Sequence, residues 1–157
     1  MTHTRDEVIK RATREFRLLD RLVSGLTAGE WRKAVPRPET KERWTVKDAL
    51  AHITYFKADV IRAARGERWP PELRGLNITE QNHLLYMRYH KRPPREILEW
   101  HRRVQADLLK ALREAPDEWF SRPSRGANWP NDLDGHSAAH RVKDIQRALA
   151  KGKSKAR

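Results

Sequence analysis

"RWTVKDALAHITYFKADV", residues 43–60, reads as a helix that carries its own start signal. Thr45 stands where an N-cap belongs, and Asp48, three positions on, can return a hydrogen bond to its backbone, which is the pattern of a capping box. Val46, Ala49, Leu50, Ile53, Phe56 and Val60 then recur at three- and four-residue intervals, with Lys57 the one misfit on that side. Gly66 supplies the stop.

The same punctuation continues along the chain. A helix is expected from Thr4 to Ser24, with Thr4 and Glu7 as a capping box and Val8, Ala12, Leu19, Leu22 and Val23 on its inner stripe, which Glu15 interrupts. "VPRPETKERW" is a loop with two prolines. "GERWPPELRGLN", residues 66–77, is a long irregular connection, after which Asn77 and Glu80 can cap a shorter helix. Pro93 and Pro94 break that helix, and Pro94 suits the first turn of the next. That next helix carries Ile97, Trp100, His101, Val104, Leu108, Ala111 and Leu112 and stops at Pro116. A second irregular stretch, "SRPSRGANWPNDLDG", leads to a final helix over 136–150. No alternating strand pattern and no Asn-Gly hairpin occurs. Four long amphipathic helices in 157 residues imply one all-α domain over 1–150, a four-helix bundle with an extra short helix in its long middle connection. The tail over 151–157, "KGKSKAR", is expected to be basic and disordered.

Composition excludes several chemistries. There are no cysteines, so disulfides, thiolate zinc sites, iron–sulfur clusters and a cysteine nucleophile are ruled out. A metal here must be held by histidine, carboxylate or water. No stretch approaches the roughly 20 apolar residues of a membrane span, and the first residues lack a secretory apolar core, so the expectation is a cytoplasmic protein without a membrane partner. The net charge of +13 has two readings: a footprint for a polyanion, or arginine-rich helix faces that are simply solvated. Weak, non-specific nucleic-acid binding is expected from it. A small-molecule substrate or ligand is the other expected partner, with a homodimer left open.

Four segments, in order, resemble the DinB/YfiT-like superfamily, and within it the ClbS/DfsB branch. "RWTVKDALAHITYFKADV" resembles the second helix, "RGERWPPELRGLNITEQNHL" the middle segment, "ILEWHRRVQADLLKALREAPDEWF" the third long helix, and "GHSAAHRVKDIQRAL" the histidine-bearing last helix. The resemblance implies an up-down-down-up bundle. It also implies a divalent metal, zinc, nickel or iron, held by one histidine of the second helix and two of the last, which here are His52, His136 and His140. Activities in the family include thiol-dependent transfer or isomerisation and hydrolytic detoxification of reactive compounds, which implies a role in stress or detoxification.

Helical geometry supports His52 in part. It lies about 40° from Phe56 and about 60° from Ala49 around the axis, at the edge of the inner face. The last helix conflicts with the expectation. His136 and His140, four apart, share a side, but Ile145 lies about 140° from His140 on a regular helix, and the histidines share their side with Lys143, Asp144 and Arg147. A π-bulge that re-aims the first turn would reconcile the two, and so would a helix that begins later; otherwise the site is lost. His101 lies mid-stripe, as a core histidine or as a ligand or base in the same cavity. Glu80, Asp132 and Asp134 are candidate bases. Tyr55, Tyr86 and Tyr89 orient a substrate or pack; Trp69, Trp119 and Trp129 wall a pocket or cover helix ends. His83 and His90 read as surface residues. The alternative to a metal-dependent hydrolase or transferase is a non-catalytic bundle that binds a small molecule or polyanion with a degenerate metal site.

Overall fold

The computed structural model describes residues 3–121 and 129–151. Its helices are α1 (Arg5–Val23), α2 (Ala28–Trp31), α3 (Val46–Ala64), α4 (Ile78–Tyr89), α5 (Pro94–Glu114) and α6 (Asn131–His140). α6 runs on through a π-helical segment, Arg141–Gln146, into a last turn, α7 (Arg147–Ala150). An isolated bridge joins Ala34 to Thr45, and no strand forms among the described residues.

The start signals account for most of these boundaries. Thr45 with Asp48 and Asn77 with Glu80 form reciprocal capping boxes at α3 and α4, and Pro94 opens α5. At α1, Thr4 accepts from the Glu7 backbone, but the Glu7 carboxylate lies 3.6 Å from His3 and does not complete a box. A box does occur where none was expected, between Thr27 and Glu30, and it starts the short α2. Gly66 ends α3 at φ 70°, a conformation that glycine adopts without strain. The last helix begins at Asn131, five residues before the expected start, and it is not regular. The expected basic tail lies outside the described residues apart from Lys151.

The contacts give the topology. Arg5 donates to Ala115 O while Arg102 bonds Asp20, so α1 runs antiparallel to α5. Lys57 meets Gln105, and Trp119, just past α5, donates to Ala63 O; α3 is therefore parallel to α5. Arg11 pairs with Asp134 and Glu15 with Arg141, so α1 and the last helix are parallel. Phe56 lies against His136 and His52 against His140, which makes α3 and α6 antiparallel. The four long helices thus run up, down, down, up. α1 and α3 stand on one diagonal and α5 and α6 on the other, so the α1–α3 connection spans a diagonal while the long middle connection, with α4, joins the neighbours α3 and α5. The core fills the middle with Leu19, Leu50, Ile53, Ile97, Leu108, Leu112 and Ile145, each at most 2% exposed.

Candidate metal centre

α3 and α6 cross antiparallel with two imidazoles of α6 set against one of α3. His136 and His140 are one turn apart, as their spacing requires, and the crossing places His52 between them. The ring centroids form a near-equilateral triangle: 5.0 Å from His52 to His136, 4.7 Å from His52 to His140, and 4.7 Å from His136 to His140. One ligand nitrogen from each ring lies within 4.8 Å of the others. The Nε2 atoms of His52 and His136 are 3.2 Å apart.

The π-helical segment resolves the conflict seen on the helical wheel. Its i→i+5 bonding absorbs one extra residue per turn. Residues five apart then return to the same side, so His140, 7% exposed, and Ile145, 0%, both face inward. The irregularity lies just after the histidines, over 141–146, rather than in the first turn.

The same segment supplies a carboxylate. Asp144, 4% exposed, accepts a 2.5 Å hydrogen bond from His140 Nδ1. This fixes the tautomer and leaves the Nε2 lone pair toward the cluster. Glu39 Oε1 lies 3.4 Å from that Nε2. A lone pair and a carboxylate oxygen at this distance call for a proton or a metal cation between them. Burial, reinforced by the neighbouring histidines, pushes the His52 pKa well below the usual imidazole range. Burial first, then His140, lowers that of His136 to about 4. Both rings are neutral at pH 7 and are therefore available as metal donors. Three imidazole donors, a carboxylate behind one of them and a carboxylate in front of it fit a divalent ion.

The triangle forms part of the wall of a cavity of about 520 Å³, within the range of small-molecule sites. Tyr55, Phe56, Asp59, Trp69, Asn82, Asn131 and Asp132 line the rest of it. The lining therefore draws on the 66–77 connection, through Trp69, and on the first turn of α6, through Asn131 and Asp132. Phe56 packs on His136 with centroids 4.1 Å apart, and Trp44 meets His52 edge-on at 5.3 Å. Behind the cluster, Glu15 accepts from Arg141 at 2.7 and 3.1 Å and from Ser137 at 3.4 Å, which locks α1 to the histidine-bearing helix.

The other candidates separate cleanly. His101 is not on this cavity. It is 1% exposed, stacked on Phe16 at 4.8 Å and facing α1. Its place in the inner stripe was legible, but α5 and α6 lie on one diagonal, so that stripe does not reach the cluster. Asp134 is held by Arg11 at 2.8 and 2.9 Å, and Glu80 is spent on the α4 cap. Asp132 lines the cavity, and burial raises its pKa. Tyr55 lines it too, its hydroxyl accepting from Arg62 at 3.2 Å. Tyr86 stacks on Trp44 and His90, and Tyr89 on Trp100, as packing. His83 and His90 pair with Glu42 and Asp48 away from the cavity. Glu39 was missed; it sits in a proline-bearing loop with no periodicity to mark it.

The sequence profile of the DinB superfamily matches residues 11–143, a span that contains all three histidines. The chain belongs to the DinB superfamily. No curated protein and no solved structure gives a significant match. Members of this superfamily often bind divalent metals, and this chain brings three histidines together within the matched span.

Proposed function

We propose that His52, His136 and His140 hold one divalent metal ion, and that the protein is a metal-dependent hydrolase or transferase acting on a small reactive molecule. The observation that carries this reading is the convergence of three imidazole donors, two of them neutral and one oriented by Asp144, on the wall of a 520 Å³ cavity. A zinc, nickel or iron ion held there supplies Lewis acidity to a carbonyl or a water. The chain's own residues do the rest. Asp144 orients His140, Phe56 and Trp44 wedge the rings in place, and Asp132 takes up a proton on its carboxylate, its affinity for protons raised by burial. A detoxification role in the cytoplasm and membership of the ClbS/DfsB branch accord with this site and with the segment order. We assign the +13 charge to weak, non-specific contact with polyanions.

Metal analysis of protein purified without chelator tests the reading. One zinc, nickel or iron ion per chain is expected, either as isolated or after reloading. Protein that carries no stoichiometric metal and takes none up when zinc and nickel are supplied overturns it.

A further inference from the structure

A second, smaller chamber adjoins the metal-site cavity. It has a volume of about 200 Å³ and is walled by Trp69, Trp119, Trp129, Phe56 and Val60. Phe56, Asp59, Trp69 and Asp132 line both spaces, so the two share a wall. Phe56 is the partition: one face of its ring meets His136, and the residue also borders the chamber. Three of the six tryptophans of the chain meet at this one place.

The walls are of two kinds. Trp119 and Trp129 are buried. Their rings meet edge-to-face at 4.6 Å and 75°, both are at most 6% exposed, and the Trp119 indole donates to Ala63 O. Trp69 is 52% exposed on the irregular connection after α3. An indole held in water beside an apolar chamber is a wall waiting for a covering surface. Among the chamber's charges, Asp59 is already paired with Arg62. Glu67, Arg68 and Asp132 also line the space, and its remaining walls are the four aromatic rings with Val60 and Ala63; planar rings gain more from aromatic walls than saturated groups of equal area. A volume of roughly 150 Å³ is enough for a benzene ring, so the space here can hold one.

We infer that the tryptophan chamber is the subsite for a planar aromatic arm of the substrate, whose polar head lies at the histidine triangle. This rests on the metal-site reading for the head, but the arm is recognised by the tryptophans alone. The substrate class is therefore an aryl- or arylalkyl-bearing carbonyl compound rather than a short aliphatic one.

Hydroxamates supply the probe, because they chelate the metal through one end and can carry any arm. Calorimetric affinities of zinc-loaded protein are compared for acetohydroxamate, a phenylalkyl hydroxamate and its cyclohexylalkyl counterpart. The phenyl arm is expected to raise affinity at least tenfold over acetohydroxamate, and severalfold over the cyclohexyl arm. Trp69→Ala, at a half-exposed position, is expected to remove most of that gain, with acetohydroxamate measured on the same variant as the control for any effect on the head. Equal gains for phenyl and cyclohexyl, or a phenyl gain that survives Trp69→Ala, overturn the inference. If the protein takes up no zinc, the arm is tested by itself: N-benzylacetamide is titrated against intrinsic tryptophan fluorescence. Saturable quenching in the wild type and its loss in Trp69→Ala uphold the chamber even with the metal reading gone. No saturable response overturns it.

Discussion

Two groups of buried titratable side chains flank α3, and on burial alone they look alike. His52 faces α6, where it meets His136 and His140 on a cavity wall. Lys57, about 140° around the same helix, faces α1 and α5, where it donates to Gln105 at 3.2 Å and lies over the Phe16 ring. His101 also stacks on Phe16. Both groups contain a histidine whose pKa is lowered to about 4, His136 in one and His101 in the other, and in both the first cause is burial. The difference lies in convergence and space. The first group aims several donors at one point beside an open cavity. The second is sealed, and its members meet the Phe16 ring and separate polar partners, Gln105 for Lys57 and Asp20 for His101, rather than one shared point. A depressed pKa therefore marks burial in both, and only the geometry separates a candidate site from a polar element of the core.

The sharpest contrast is in metal uptake. His52→Ala, and likewise His136→Ala or His140→Ala, is expected to abolish binding of zinc or nickel, while His101→Phe retains one ion per chain by elemental analysis. The same contrast appears in stability. Free metal at 1,000 times its Kd stabilises a folded protein by about 4 kcal/mol. That increment should appear in wild type and in His101→Phe and vanish in His52→Ala. An increment of equal size in His52→Ala would place the metal elsewhere.

Next comes the carboxylate behind the cluster. Asp144 is not among the residues lining the histidine cavity, but its bond to His140 Nδ1 fixes which nitrogen offers a lone pair. Asp144→Asn is expected to weaken zinc binding by about 10- to 100-fold without abolishing it. Unchanged affinity in a competition titration with a chromophoric chelator would remove Asp144 from the site.

These two residues also show what a sequence carries. The helices were legible because their signals are local: Thr45 with Asp48, Asn77 with Glu80, Pro94 at a first turn, and apolar residues at the helical period. His52 was legible as an edge residue, and the edge is where the cavity is. On the last helix the pattern gave a contradiction, with the histidine pair turned about 140° from Ile145 on a regular helix. The contradiction was itself the signal of the π-helical segment. Its position after the histidines depends on packing against α1 and α3, which no local pattern encodes. Asp144 stood four residues after His140, a spacing that offered the hydrogen bond. Glu39 and the meeting of three tryptophans come from loops folding back, and loops have no period to read.

The sealed group should show itself in acid. Burial, with the nearby charge of Lys57, lowers the His101 pKa to about 4, and Asp20 at 3.3 Å offsets this only in part. In the unfolded chain the ring titrates near 6.5. Between these values the unfolded state binds more protons, so stability is fully present above about 6.5 and is lost as pH falls toward 4. Between pH 6.5 and 5 the contribution is about 2 kcal/mol. His101→Phe keeps the stack on Phe16 and should flatten this part of the pH profile in urea denaturation. An unchanged acid slope would mean that His101 is protonated in the folded protein.

The smallest effect is expected at Lys57. Its charge is 3% exposed, and burial lowers its pKa to about 8, with Glu15 opposing the shift. A buried charge of this kind contributes little net stability, since desolvation offsets its contacts, and an apolar side chain of similar volume is often as good. Lys57→Met is therefore expected to change unfolding free energy at pH 7 by less than about 1 kcal/mol. It should leave zinc affinity unchanged, because Lys57 faces away from the triangle. The pH dependence gives the sign. A folded pKa below the unfolded value means that stability is complete above about 10.5 and is lost as pH falls toward 8. Wild type should thus gain about 1 kcal/mol between pH 8 and 9 that Lys57→Met does not. Removing the lysine charge should also raise the pKa of His101 and shorten the acid limb. A Lys57→Met protein that loses metal affinity would show that the two groups on α3 act as one, and the separation between site and core would fail.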